Sequence, residues 1–352
     1  MDLGIPQSSP DRHSLLHAVL KEVSRSFYLT LKVVPAVVRD QIGLAYLFAR
    51  AADTIADTDL IVRKRRLEFL NEFRAQFASP NRVEWGAVRA IQAALIPHQN
   101  IAGERRLLER LEDCFRFYGE FAAADRERLC RLMGTLTKGM EMDLVRFPGE
   151  SAEDLTALQS PEDLDLYTYY VAGCVGEFWT AMMCAHLPSL ASWNQAQMSA
   201  TGVRFGKGLQ MTNILKDLAR DLQRGRCYIP EVLLREAGLQ PLDLLRQESL
   251  PAFRPILRGL LAKAIEHLDQ GWLYTLAVPR SELRLRLACM WPILFAGGTL
   301  RRIASSADLL DPAVVQKISK GEVYRVMAAT TLTGACSYVG TAYWGMLRKQ
   351  VI

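Results

Sequence analysis

Strand signals are what this 352-residue chain lacks most. Sustained alternation of β-branched residues is almost absent, which excludes a sheet-based fold. No Gly-x-Gly-x-x-Gly follows a strand, which excludes a Rossmann dinucleotide site. Histidine is scarce, five in all at 13, 17, 98, 186 and 267. Only His13 and His17 stand one helical turn apart, near a terminus, so neither zinc nor a Ser/His/Asp or Cys/His nucleophile is expected. The seven cysteines (114, 130, 174, 184, 227, 289, 336) are odd in number and include no Cys-x-x-Cys pair. Most lie in apolar stretches and read as reduced, buried thiols of a cytoplasmic protein. The roughly 7–15 apolar residues of a signal peptide do not follow Arg12-His13, so export is not expected. Nucleic-acid motifs are missing as well, and no nucleic-acid partner is expected. With no Pro/Gly/Ser-rich linker, a single helical domain over residues 1–352 is the simplest organisation.

What is present is helical periodicity from about Ser14 to Leu347 in a chain that is 50% hydrophobic and 23% charged, and an all-α fold follows. The spacing predicts helices over 14–31, 38–57, 62–77, 84–96, 103–122 and 124–146. Further helices are predicted over 161–186, 196–222, 231–236, 251–276, 280–304, 311–318 and 321–347. Ser160 reads as an N-cap with Pro161 at the first helical position. Gly225 breaks a helix, and Ile229-Pro230 forces extended backbone. The net charge of +5 is mild. Its densest run, Arg63-Lys64-Arg65-Arg66, reads as a solvated helix face, with an anionic membrane surface as the alternative. Val326–Leu347 carries no charge and is long enough to span a bilayer, but its threonines and glycines make it a weak span. A buried helix lining a cavity is the preferred reading, ahead of a peripheral membrane contact through this C-terminal helix and of a true span.

Two copies of Asp-x-x-x-Asp, Asp53/Asp57 and Asp217/Asp221, lie 164 positions apart. At about 100° per residue, Tyr46, Arg50, Asp53 and Asp57 fall on one arc of roughly 60°. Gln210, Asn213, Asp217 and Asp221 make a second stripe. Both stripes end largely apolar segments, where acids are costly unless a cation neutralises them. Hard carboxylate oxygens suit Mg²⁺, which shares its coordination with substrate phosphates, so the inferred ligand is a Mg²⁺-bound polyphosphate. Ser24-Arg25-Ser26-Phe27-Tyr28 offers hydroxyl and guanidinium donors for a third wall of that anion site, or is an exposed turn. Tyr167–Gly176 puts Tyr167, Tyr170 and Cys174 on one face. Gly173 and Gly176 there make room for a packed helix or for a long apolar ligand.

Taken together, Ser24–Phe27, Arg50–Asp57, Tyr167–Gly176 and Gln210–Asp221 resemble the squalene and phytoene synthase family, in order and spacing, over nearly the whole chain. The resemblance implies a helical isoprenoid-synthase bundle in which two facing Asp-rich helices stand at the mouth of an apolar channel. It is strongest to squalene synthases of bacterial type, on Tyr169-Tyr170-Val171-Ala172-Gly173, Gly225-Arg226 and Lys317–Glu322. Such enzymes condense two farnesyl diphosphates through presqualene diphosphate and reduce the product with NADPH. Carried over by position, the metal ligands are Asp53, Asp57, Asn213, Asp217 and Asp221. Substrate contacts are Ser24, Arg25, Ser26, Phe27, Tyr46, Arg50, Gln210 and Asn213. Cofactor contacts are Ser24, Arg50, Asn213, Lys216, Arg226, Lys317 and Lys320. Tyr167 is placed near the proton loss that closes the cyclopropane, and Phe27, Phe178, Leu209 and Met211 are channel walls. Lys216 stands where arginine is common, and Ser319 where a second basic residue often lies, which weakens the cofactor assignment. Dehydrosqualene, hydroxysqualene or phytoene synthesis is the alternative, followed by a non-catalytic isoprenoid-diphosphate binder or a terpene cyclase. A cytoplasmic enzyme, peripheral to the membrane if bound at all, is expected.

Overall fold

The structure is a computed structural model that describes residues 12–24, 28–78, 83–333 and 337–352. It is helical almost throughout, as the periodicity requires. The chain divides into two compact units, one of Met1–Lys32 with Val38–Thr137 and the other of Val33–Val37 with Lys138–Ile352.

In the first unit the Ala36–Asp57 helix has a face of Leu44, Leu47, Phe48, Ala51 and Ile55 with no exposed surface. Phe48 packs against Phe73, Phe77, Phe115 and Tyr118 at centroid distances of 4.8 to 6.1 Å, mostly edge to face, the arrangement that ring quadrupoles favour. Arg63, Lys64 and Arg65 are exposed, as a solvated run should be. Arg66 corrects that reading: it is 2% exposed and donates through Nη1 to the Ala56 carbonyl at 2.9 Å. One of the orphan carbonyls at the end of the first acid-bearing helix is satisfied in this way. The helix expected over 103–122 is two, Ala102–Glu109 and Leu111–Gly119. They meet at Arg110, whose backbone leaves the helical region and whose guanidinium holds Asp113 in the next first turn.

In the second unit the Gln195–Gln223 helix runs along the Leu250–Ala277 and Cys174–His186 helices. Glycines allow both approaches. A Cβ on Gly208 would lie 3.0 Å from Leu268, one on Gly271 2.7 Å from Phe205, and one on Gly176 2.0 Å from the Gly202 carbonyl oxygen. Close helix packing therefore accounts for Gly176. The predicted 161–186 helix is interrupted by a π-helical turn at Tyr169–Gly173. The Ser160 cap is present, with Asp163 completing a capping box, two orphan donors being satisfied reciprocally. Gly225, with φ +76°, turns the chain out of the long helix. Arg226–Cys227 then pairs in parallel with Thr156–Ala157, and the Glu231–Glu236 helix follows.

Residues 311–318 form turns instead of the expected helix. The Asp311 carboxylate accepts the Ala313 N–H at 2.8 Å, a local bond that competes with helix nucleation, and Val314-Val315 are β-branched. Beyond them lie the Lys320–Thr333 and Ser337–Lys349 helices. Their polar residues have packing roles: Trp291 Nε1 donates to Thr330 at 2.9 Å and Trp272 Nε1 to Thr341 at 3.3 Å. Val326, Trp344 and Leu347 are buried, whereas Leu332 and Tyr338 are 87% and 80% exposed, so only part of this segment is the buried helix expected. Among the described residues no helix is long and apolar enough to cross a membrane.

Candidate active site

The first acidic stripe is continuous along its helix. Arg50 donates through Nη2 to the Tyr46 hydroxyl at 3.3 Å and approaches Asp53 through Nη1 at 3.5 Å. Thr54 bonds back to the Arg50 carbonyl at 2.9 Å and reaches Glu104 Oε2 at 3.4 Å. Burial pushes the Asp53 carboxyl up to about 7; Arg50 pulls it back, and repulsion from Asp57 and Glu104 adds to the rise. Its side chain nonetheless keeps 43% of its surface open, so the crowding comes from protein around the carboxylate, not on top of it, and a ligand can touch it. Arg50 Nε is buried with no acceptor, a desolvated donor that an anionic oxygen would satisfy. Glu104, from the Ala102–Glu109 helix, belongs to this acid group through tertiary packing alone.

The second stripe is also a connected string. Asn213 donates to Gln210 Oε1 at 3.4 Å; Lys216 Nζ donates to Asn213 Oδ1 at 3.1 Å and pairs with Asp217 at 3.1 Å. Met211, Ile214, Leu215 and Leu218 bury the opposite face, so the string is held along one side of a fixed helix. Leu209 packs on the same core and Phe178 is buried.

Beside the second motif lies an arrangement that motif reading did not find. Asp143, on the Ala123–Arg146 helix, accepts the Tyr167 hydroxyl on Oδ2 at 3.1 Å and the Tyr228 hydroxyl on Oδ1 at 3.0 Å. The two rings stack at 4.7 Å, and Phe147 closes edge-on against Tyr228 at 5.0 Å. Burial first, and then the Asp143 charge, holds both phenols well above their ordinary value. Arg226 and Asp221 lie close enough to Tyr228 to act on it in opposite senses. The available signal was an acid on the stripe of Leu136, Met140 and Phe147, at helical spacing and otherwise apolar.

The remaining candidates are dispersed. Ser24 is buried and donates to the Leu20 carbonyl of its own helix; Arg25, Ser26 and Phe27 lie outside the described residues. Lys317 and Lys320 are exposed, and among the described residues neither bonds to Asn213, Lys216 or Arg226. Ser319 caps the Lys320–Thr333 helix, its hydroxyl accepting the Glu322 N–H at 3.2 Å while Glu322 accepts the Ser319 N–H at 2.9 Å. Those donors hold the Glu322 carboxyl down at about 2, with Arg302 contributing.

The sequence model described as squalene/phytoene synthase matches residues 20–320, from the first helices to the start of the Lys320–Thr333 helix. The chain belongs to that family. Its members are prenyltransferases that condense isoprenoids head to head. A bifunctional lycopene cyclase/phytoene synthase of Colletotrichum graminicola is 28% identical over 76% of the chain and 42% of its own length. Squalene synthase of Saccharomyces cerevisiae is 24% identical over 91% of the chain and 68% of its own length. The chain thus spans about two fifths of the bifunctional relatives that it matches. Among solved structures, the complex of TcSQS with the ligand E5700 superposes with a TM-score of 0.77 at 20% identity, covering 97% of this chain and 98% of the other. A dehydrosqualene synthase in complex with ligand gives 0.64 at 20% identity, over 94% and 97%. These likenesses establish the shared helical isoprenoid-synthase fold.

Proposed function

We propose that this chain is a squalene synthase: it joins two farnesyl diphosphates head to head through presqualene diphosphate and reduces the product with NADPH. The observation that carries the reading is that Asp53 and Asp217, the first acids of the two Asp-x-x-x-Asp pairs, each close a connected polar string along one side of a helix whose other side is buried.

The residues fit Mg²⁺ of the kind that keeps part of its water. Among the described residues no three acid, histidine or cysteine side chains converge as a ready cage; a metal that takes substrate phosphate oxygens needs only the pairs. Asp53 and Asp57 would hold it in the first unit, and Asn213, Asp217 and Asp221 in the second. When bound, it would neutralise charge developing on the departing diphosphate. Arg50, whose side chain is partly exposed, would bind the same anion through its guanidinium. The buried faces around Phe178, Leu209 and Met211 exclude water from the cation, and Tyr167 accepts the proton lost on ring closure. For the reductive half, Lys317 and Lys320 supply exposed positive charge for the phosphates of a dinucleotide. Ser24 would have to give up its bond to Leu20 to join them.

Asp53→Asn and Asp217→Asn are each expected to lower turnover of farnesyl diphosphate by about 100-fold or more, judged by the scale of lost transition-state charge stabilisation. Product formation within a few-fold of the parent in either variant would refute the metal assignment. A second reading, synthesis of phytoene or dehydrosqualene without reduction, is favoured by the phytoene synthase activity named for the relatives at 28% identity.

A further inference from the structure

On the reading just given, Tyr167 receives the proton, yet a phenol is a poor base. Protonating its oxygen while it keeps its own hydrogen makes an oxonium, and burial already disfavours the separate phenolate. The structure supplies the missing half of the exchange. Tyr167 has one hydrogen, and it is donated to Asp143 Oδ2 at 3.1 Å. The neighbouring Tyr228 hydroxyl can engage one lone pair of that oxygen, and the second is left for whatever approaches from the other side. Tyr228 donates to the second carboxylate oxygen at 3.0 Å and stacks on Tyr167 at 4.7 Å, so the carboxylate is gripped from two sides and cannot rotate away. These three residues come from sequence positions 24 and 85 apart.

We propose that Asp143 is the terminal proton acceptor of the ring-closing step, acting through Tyr167 as a two-proton relay with Tyr228 as the fixed second anchor. The C–H bond of the cationic carbon adduct breaks, and its electron pair closes the cyclopropane. The proton binds Tyr167 Oη as the former phenolic hydrogen passes to Asp143 Oδ2. A cation and a carboxylate become two neutral groups, and Tyr167 ends as it began. The carboxylic acid then returns its proton to solvent or to the released diphosphate before the next turnover. Asp143 is on this account a positioning and relay residue, and it touches no substrate.

The test uses the full chain with Mg²⁺ and farnesyl diphosphate, following pyrophosphate release and the cyclopropyl intermediate separately. Asp143→Asn preserves shape and one acceptor oxygen, but it is no base. Its intermediate formation is expected to fall about 100-fold, within the range typical of general acid–base catalysis, while pyrophosphate release persists and is diverted to water-quenched alcohol. The isotope effect with substrate deuterated at the carbon losing its proton should rise. Asp143→Glu should restore part of the rate, and Asp143→Asn in a Tyr167→Phe background should cost nothing further, because the two act as one unit. Intermediate formation retained within two-fold in Asp143→Asn, or falling in step with pyrophosphate release, would overturn the relay. If Asp143→Asn unfolds, the Glu rescue and its isotope effect decide: a folded Glu variant with neither restored rate nor altered isotope effect also overturns it. A parent protein that releases no pyrophosphate from farnesyl diphosphate would instead sink the functional reading itself.

Discussion

His267 shows what burial does to a single titratable side chain. It is 3% exposed, and its Nδ1 accepts Arg204 Nε at 2.6 Å, which leaves its hydrogen on Nε2. Burial, followed by Arg204, Lys263 and Lys207, pushes it down to about 4, with Glu266 opposing. The folded state therefore binds this proton less readily than the unfolded chain. The resulting stability is whole above pH 6.5 and is lost as pH falls towards 4, with an upper bound of about 3 kcal/mol. Denaturant midpoints measured from pH 7 to 4 should fall less steeply in His267→Gln than in the parent; identical slopes would show that the histidine is not buried neutral. Asp53 has the opposite sense, a carboxyl pushed up to about 7 beside Arg50, Asp57 and Glu104. There burial and the neighbouring acids disfavour the ionised form, and only Arg50 favours it.

At the scale of elements, the glycines of the Tyr–Gly segment decide how closely two helices run. A Cβ on Gly176 would meet the Gly202 carbonyl oxygen at 2.0 Å, and one on Gly206 the Ala172 carbonyl oxygen at 2.1 Å. These clashes are with backbone, which cannot swing aside. Gly176→Ala should cost about 3 kcal/mol or more through overpacking. Gly259→Ala, in an exposed helical position with nothing within 4 Å, should stabilise by up to about 1 kcal/mol. Urea unfolding of the pair checks the contrast, and equal shifts would contradict the packing. The π turn at Tyr169–Gly173 belongs to the same contact. It breaks the α register on which placing Tyr167, Tyr170 and Cys174 on one face depended, and such turns cluster at functional positions. Tyr167 ends on Asp143 while Tyr170 lies against Gly139, whose added Cβ would meet it at 3.1 Å.

For the whole molecule, the product separates the reductive from the non-reductive branch of the family. Supplied with farnesyl diphosphate and Mg²⁺, the protein should form squalene when NADPH is added and accumulate presqualene diphosphate or an unreduced C30 product when it is not. The same product spectrum with and without NADPH would transfer the assignment to the non-reductive branch of the family. This assay is independent of the acid motifs, because both branches need the diphosphate to leave.

Periodicity along the chain was enough to establish the all-α class, most helices to within a residue or two, the Ser160 cap, the Gly225 stop and both polar stripes. Each depends on residues within a few turns of one another, and short-range sterics and hydrogen bonding act over that distance. Tertiary structure alone decided what depends on distant partners: Glu104 joining the group of Thr54 and Asp53, Arg66 buried on the Ala56 carbonyl, and Asp143 shared by Tyr167 and Tyr228. Residues 311–318 depart from the predicted helix at short range instead, where the Asp311 side chain bonds the Ala313 N–H two residues on. A carboxylate on one helix carries no local mark of the phenols that folding will bring to it. Packing selects those partners, since a buried charge is tolerated only where hydrogen-bond donors meet it.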